Sequence, residues 1–121
     1  MMRILAADDS PSMRDMVRMS LGSAGFEVTA AENGDEALRL AAATSFDLVL
    51  LDVHMPVLDG IEVVRALRAE PQYRHTPILM LTTESSADRK REGKDAGATG
   101  WIIKPFDPAQ LIATVHRVLL R

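Results

Sequence analysis

The sequence predicts an α/β domain in which five parallel strands form a central sheet and helices cover both of its faces. Three features point that way. Five short apolar runs alternate strictly with five segments that carry helical spacing or capping residues, and such alternation marks a parallel sheet joined by right-handed crossovers. The runs are nearly continuous in Leu, Ile, Val and Ala, as strands covered on both faces must be. One of them, Val49-Leu50-Leu51, stops on a carboxylate, Asp52, and the chain then breaks into a loop at Pro56. In an open parallel sheet the carboxyl edge of the strands is where ligands collect. A carboxylate there is a site candidate as well as an ordinary strand terminator.

Arg3-Ile4-Leu5-Ala6-Ala7 reads as the first strand and ends on Asp8-Asp9. Ser10-Pro11-Ser12 starts a helix with a hydroxyl cap and a proline in its first turn. Met13, Met16, Val17 and Leu21, spaced by three and four, form its buried stripe, and Gly22 or Gly25 ends it. Phe26 to Ala31 is a brief second strand. Asn33 caps a second helix with Ala37, Leu38 and Ala41 inward, and Phe46 to Leu51 is the third strand. Ile61, Val64 and Leu67 define a third helix that breaks before Pro71. Pro77 to Leu81 is a fourth, buried strand ending on Thr82-Thr83. The helix expected over Ser85 to Ala96 differs from the others, because Asp88, Arg89, Lys90, Arg91, Glu92, Lys94 and Asp95 leave it few apolar positions and so hold it weakly. Gly97 and Gly100 bracket a turn into Trp101-Ile102-Ile103, the fifth strand, which ends on Lys104-Pro105. Asp107 caps a last helix with Pro108 at its first position and Leu111, Ile112, Val115, Val118 and Leu119 inward.

The length of 121 residues suits one domain spanning 1–121, large enough to bury a core without staples. Lys and Arg number 14 against 17 Asp and Glu, and the net charge of −3 gives no general reason to expect nucleic-acid or membrane-surface binding. The absence of cysteine removes disulfides and thiolate metal sites. The amino end lacks the apolar region of a signal peptide and no apolar run reaches spanning length, so a soluble cytoplasmic protein is expected.

With the strands parallel, their carboxyl ends share one edge, and the residues that fall there are Asp8, Asp9, Asp52, Thr82 and Lys104. Three carboxylates in one crevice repel, and without compensation at least one takes up a proton. A divalent cation is the remedy. All-oxygen ligands favour Mg²⁺, Mn²⁺ or Ca²⁺ over zinc, and a site with few protein ligands and room for water and a phosphoryl oxygen suits Mg²⁺ best. Three carboxylates against one Mg²⁺ and one lysine leave a formal charge near zero, which admits a phosphoryl group. A carboxylate is a competent nucleophile towards phosphorus, a lysine can stabilise the oxygens in transfer, and Thr82 supplies a hydroxyl donor. Asp52 is then the acceptor. Taken singly, Lys104 could be a lone salt bridge and Asp8-Asp9 mere strand and cap polarity, but all fall at predicted strand ends.

These residues also carry a family likeness. Asp8-Asp9, Asp52 followed by Met55-Pro56 and Asp59-Gly60, Thr82 after an apolar strand, Gly97-Ala98-Thr99-Gly100-Trp101, and Lys104-Pro105-Phe106 together resemble the receiver domain of bacterial response regulators, over the whole chain. Within that family the sequence is most similar to stand-alone chemotaxis regulators of the CheY type. The resemblance implies a flavodoxin-like (βα)5 three-layer sandwich with strand order 2-1-3-4-5. It implies a phosphorelay switch that takes a phosphoryl group from a histidine kinase, or a small acyl or amide phosphate, onto Asp52. Mg²⁺, with Mn²⁺ as an alternative, would be held by Asp9, Asp52, the backbone carbonyl of His54 and, through water, Asp8. Thr82 and Lys104 would engage the phosphoryl oxygens, while Trp101 changes rotamer with Thr82 and reports to the surface of the fourth helix, fifth strand and last helix. Catalysis would be confined to the protein's own phosphorylation and dephosphorylation, so it is not expected to be an enzyme in the ordinary sense. A chemotaxis-type kinase, a flagellar motor switch protein and a phosphatase are the implied partners of a monomer.

Two positions are weighed separately. His54 should edge the site, where it affects water access and acyl phosphate lifetime or is simply an exposed loop histidine. Trp101 departs from the more usual tyrosine or phenylalanine, so it is either the switch ring or surface packing at a strand edge. Rival readings are weaker. A phosphatase of the haloacid dehalogenase type needs a second Asp where His54 stands, and a cap domain. An FMN binder needs a small-residue phosphate loop where Asp8-Asp9 would repel the phosphate. A receiver cut from a longer transcription regulator or kinase, or one that drains phosphate from a shared kinase, remains compatible with the residues, although the final helix reaches Arg121 without a linker.

Overall fold

The structure is a computed structural model that describes residues 1–83 and 87–119. Five strands, β1 (Arg3–Ala7), β2 (Glu27–Ala31), β3 (Leu48–Asp52), β4 (Ile78–Thr82) and β5 (Gly100–Ile103), alternate with helices α1 (Pro11–Ser23), α2 (Gly34–Ala43), α3 (Gly60–Arg68), α4 (Ala87–Ala96) and α5 (Pro108–Leu119). All strand pairings are parallel and the order is β2-β1-β3-β4-β5, as expected for the flavodoxin-like fold.

Strand periodicity sorts the core into two layers. Ile4, Ala6, Leu48, Leu50, Leu79, Leu81 and Ile102 face one side, where they meet Val17 and Leu21 of α1 and Leu111 and Val115 of α5. Leu5, Ala7, Val49, Leu51, Ile78 and Met80 face the other, against Ala37 and Ala41 of α2 and Ile61, Val64 and Leu67 of α3. Burying each such leucine or isoleucine contributes about 1.5–3 kcal/mol. Every residue of β3 is buried, so the strand that ends on Asp52 is anchored over its whole length.

Capping chemistry sets the helix starts. Ser10, Asn33 and Asp59 accept from the backbone of Met13, Glu36 and Glu62, and Asp59 and Glu62 close a reciprocal capping box. Asp107 Oδ1 accepts from Gln110 N at 2.7 Å at the start of α5. Several expected boundaries shift by a residue or two. The first helix ends at Ser23, with Gly25 at φ +97° supplying the left-handed turn. The third strand starts at Leu48 and includes Asp52. Ile112, Val118 and Leu119 pack at the margin of the core, only partly buried. The predicted start of the fourth helix at Ser85 lies outside the described residues; from Ala87 on, Gly93 is its one fully buried residue.

A 3-10 turn over Pro71–Tyr73 follows α3, where the sequence signals only the helix's end before Pro71. Tyr73 is buried beneath it and donates to the carbonyls of Ala41 (2.7 Å) and Thr44 (2.9 Å). Arg68 organises the same corner. Its guanidinium donates to the carbonyls of Gly97 (2.9 Å), Tyr73 (2.6 Å) and Thr76 (2.7 Å), tying α3 to the turns that lead into β4 and β5. Gly97, at φ +113°, is needed there, since a Cβ would stand 2.8 Å from Arg68 Cγ. Arg68→Ala is expected to cost about 2 kcal/mol, because four carbonyls, that of Arg74 among them, lose a charged donor. Urea unfolding should show a lower midpoint with an unchanged slope, and an unchanged midpoint would contradict this role.

Candidate functional site

The carboxyl ends of β1, β3, β4 and β5 converge as the parallel order requires. Asp8 follows β1 and is buried; Asp52 ends β3 and is 6% exposed; Thr82 ends β4 and is fully buried. Lys104 follows β5, where its backbone N–H donates to the Thr82 carbonyl at 2.8 Å. Its ammonium reaches back across the sheet edge to Asp8 Oδ2 at 2.8 Å and Asp52 Oδ1 at 3.5 Å. The Lys104–Pro105 peptide bond is cis.

Asp8, Asp9 and Asp52 each bring a carboxylate oxygen within 4.8 Å of the others. Asp9 is exposed and forms the mouth, while the other two line the floor. Burial pushes the Asp52 carboxyl up to about 6, and the charge of Asp8 adds to this; Lys104 and the His54 N–H oppose it, and Asp9 raises it a little further. The His54 bond to Asp52 Oδ1 is long, at 3.4 Å. Three crowded acidic oxygens with one lysine leave a deficit of positive charge, and an oxygen-only donor set of this size fits a hard divalent cation.

The loop between β3 and α3 frames the mouth. Val53 N donates to Leu81 O at 3.1 Å and Gly60 N returns to Val53 O at 2.9 Å, so the loop is pinned at both ends. Between them Val57 is 80% exposed and adopts φ +73°. For a β-branched residue that conformation costs roughly 1 kcal/mol or more. The imidazole of His54, in the same loop, is exposed.

Trp101 on β5 packs against α4. Its ring fills the space where a Cβ on Gly93 of α4 would stand, with Cη2 3.0 Å from that point. It is half-buried and packs against the core layer that holds α2 and α3. It also lines a groove of about 540 Å³ with Lys90, Arg91 and Lys94. Arg89 of the same helix approaches the Asp59 cap of α3, Nη2 to Oδ2 at 3.7 Å. Among the described residues, the Arg89–Asp59 ion pair, the Trp101 ring and the packing of Ala96 on the core hold this weakly anchored helix.

Compared with known proteins, residues 4–116 match the family described as response regulator receiver domain. The chain belongs to this family. Chemotaxis response regulator CheY4 of Vibrio cholerae is 52% identical, covers 98% of both chains and superposes with a TM-score of 0.94. The transcriptional regulatory protein ResD of Bacillus subtilis is 39% identical over 98% of this chain, which spans 48% of that protein. A receiver domain from a Pseudomonas aeruginosa sensor histidine kinase, 31% identical with a TM-score of 0.92 over 99% of this chain and 98% of its own, holds a magnesium ion coordinated in its active-site cleft. The chain spans about half the length of the curated relatives it matches. It is a receiver domain of two-component signalling, a family phosphorylated by histidine kinases. No helix among the described residues is long and apolar enough to cross a membrane.

Of the residues expected at the receiver site, Asp8, Asp9, Asp52 and Lys104 come together directly, and Thr82 joins them through its place in the strand order. Trp101 lines a separate groove along α4. Sequence reasoning gave no role to Gly60, where a Cβ would overlap the Asp52 carbonyl oxygen, or to Gly93. The Asp59-Gly60 pair was the one available signal for the first; a lone glycine in a charged helix was none for the second.

Proposed function

We propose that this receiver accepts a phosphoryl group on Asp52 and uses the charge to reset its α4–β5–α5 face. What carries the reading is Lys104, whose ammonium lies 2.8 Å from Asp8 and 3.5 Å from Asp52, so that one fixed cation serves the acceptor and its acidic neighbour. A carboxylate oxygen of Asp52 attacks phosphorus, the P–O bond to Asp52 forms, and the bond to the donor's imidazole nitrogen or carboxylate oxygen breaks. Asp9, Asp52 and the His54 carbonyl, with Asp8 through water, would hold Mg²⁺ or Mn²⁺, which supplies charge neutralisation at the phosphoryl oxygens. Lys104 turns from Asp52 to a phosphoryl oxygen, and the Thr82 hydroxyl donates to another. The His54 side chain, exposed in the loop after Asp52, would either limit water access to the acyl phosphate or be a plain loop histidine. Hydrolysis of the acyl phosphate returns the protein to rest; the only chemistry is on itself.

The output we favour is chemotaxis, on the 52% identity to CheY4 over 98% of both chains. On this reading the partners are a chemotaxis-type kinase, a flagellar motor switch protein and a phosphatase, in the cytoplasm, with the domain a monomer that touches neither DNA nor membrane. The names of the curated relatives, transcriptional regulators about twice as long, support a second output, as the receiver half of such a regulator. Incubation with Mg²⁺ and a small acyl phosphate, followed by peptide mass mapping, tests the chemistry. A Mg²⁺-dependent phosphoryl adduct on Asp52 is expected; uptake at another residue, or none, sinks the reading. Binding of the phosphorylated form to a motor switch protein tests the output. No phosphorylation-dependent gain removes the motor and leaves the receiver.

A further inference from the structure

The turn that carries Asp8 and Asp9 is held from a direction the acidic site does not explain. Each polar atom of Asp8 has a partner: its N–H donates to the Ala31 carbonyl (3.1 Å), Oδ1 accepts from Ser10 N (3.0 Å), and Oδ2 accepts from Lys104 (2.8 Å). Its carbonyl accepts from Arg14 Nη1 at 2.7 Å. That carbonyl belongs to the peptide joining Asp8 to Asp9, so the bond fixes the plane from which the Asp9 side chain departs. Asp9 has no hydrogen bond of its own among the described residues, so the backbone is what fixes the direction of its Cα–Cβ bond.

Arg14 also places its cation close to the N-terminus of α1. It lies just past the first turn of α1, which begins at Pro11 with no acidic residue in that turn. A positive charge near a helix N-terminus opposes the helix dipole. Half-buried there, its guanidinium turns back over the cap to the one carbonyl that orients Asp9.

We propose that Arg14 is a positioning residue of the divalent-cation site, acting on Asp9 through the Asp8–Asp9 peptide. The proposal rests on the reading of Asp9 as a ligand. It has a sign that a purely electrostatic role lacks. If Arg14 acted by charge, its removal would relieve repulsion and tighten cation binding; if it acts as a tether, its removal loosens Asp9 and weakens binding. Loss of an outer partner of a metal ligand typically lowers affinity 10–100-fold, so Arg14→Ala is expected to bind Mn²⁺ on the order of tenfold more weakly.

The experiment is Mn²⁺ titration of the whole chain, following free ion by electron paramagnetic resonance, for wild type, Arg14→Ala, Arg14→Gln, Arg14→Lys and Asp9→Asn. Gln keeps a donor without charge and Lys keeps both, so each should recover part of the loss seen in Ala, with thermal midpoints close to wild type. If Arg14→Ala fails to fold, the Gln and Lys variants carry the test, with affinities between wild type and Asp9→Asn expected. Unchanged or tighter binding in Arg14→Ala, or Lys no better than Ala, overturns the tether while Asp9→Asn still weakens binding. Wild-type affinity in Asp9→Asn overturns the cation reading, and the role of Arg14 falls with it.

Discussion

Asp52→Asn is expected to lose phosphoryl uptake altogether and, in metal-free buffer near neutral pH, to unfold at a higher temperature than wild type. The first effect follows from removing the nucleophile. The second follows from what the folded protein does to this carboxyl. Burial, then the charge of Asp8, push it up to about 6, against about 3.9 in an unfolded chain. A group whose pKa is raised by folding stabilises the native state fully below its unfolded value, and that stabilisation is lost as pH rises through the folded value. Above about pH 6.5 wild type therefore carries the whole cost of an ionised Asp52, on the order of 2–3 kcal/mol. Asn cannot ionise and keeps the packing. Its advantage of several degrees should be largest above that pH and vanish below about pH 4. Mg²⁺ should stabilise wild type selectively and narrow the gap. Thermal unfolding of both proteins across this range is the measurement, and a gap equally wide at acid and neutral pH would show that Asp52 is not held above its normal range.

That such a site exists was legible because parallel strands send their carboxyl ends to one edge, and short apolar runs show where each strand ends. The Asp8-Asp9 pair, Asp52, Thr82 and Lys104 are far apart in the chain, yet each stands at the end of a run, so topology alone collects them. The helices were legible to a residue or two through their caps, Ser10, Asn33 and Asp107. What stayed hidden is set by contacts across space. Arg14 looks in sequence like one more polar residue on the outer face of α1, and its partner is the carbonyl of Asp8, an atom no pattern displays. Arg68 likewise serves carbonyls in turns remote from it. Trp101 could be placed on β5, but the space it occupies is made by Gly93 on another element, and only packing shows that the two are one feature. Nor does a β-branched residue such as Val57 announce a positive φ, which here accompanies a tight turn closed by the Leu58 N–H on the Pro56 carbonyl at 2.9 Å.

Gly60→Ala should produce the second large effect, against the direction that helix propensity predicts. Gly60 opens α3, where alanine in place of glycine ordinarily gains about 1 kcal/mol. Here a Cβ would overlap the carbonyl oxygen of Asp52 and stand 2.9 Å from Met80 Cε. The methionine end can move. The Asp52 carbonyl cannot, because β3 is buried along its length between β1 and β4. The strain must then push α3 outward, and the Gly60 N–H bond to Val53 that pins the site loop goes with it. Overpacking of this kind costs about 1–3 kcal/mol, and with backbone as the obstacle the upper end is expected. Urea unfolding should register that loss, and Mn²⁺ affinity should fall as well, since the same loop carries the His54 carbonyl. Gly22→Ala is the control. Gly22 lies in α1 with nothing within 4 Å of its missing Cβ, so the same substitution should leave cation binding untouched and raise stability by up to about 1 kcal/mol. Equal behaviour of the two variants would mean that Gly60 is there for its helix position and not for the approach of α3 to Asp52.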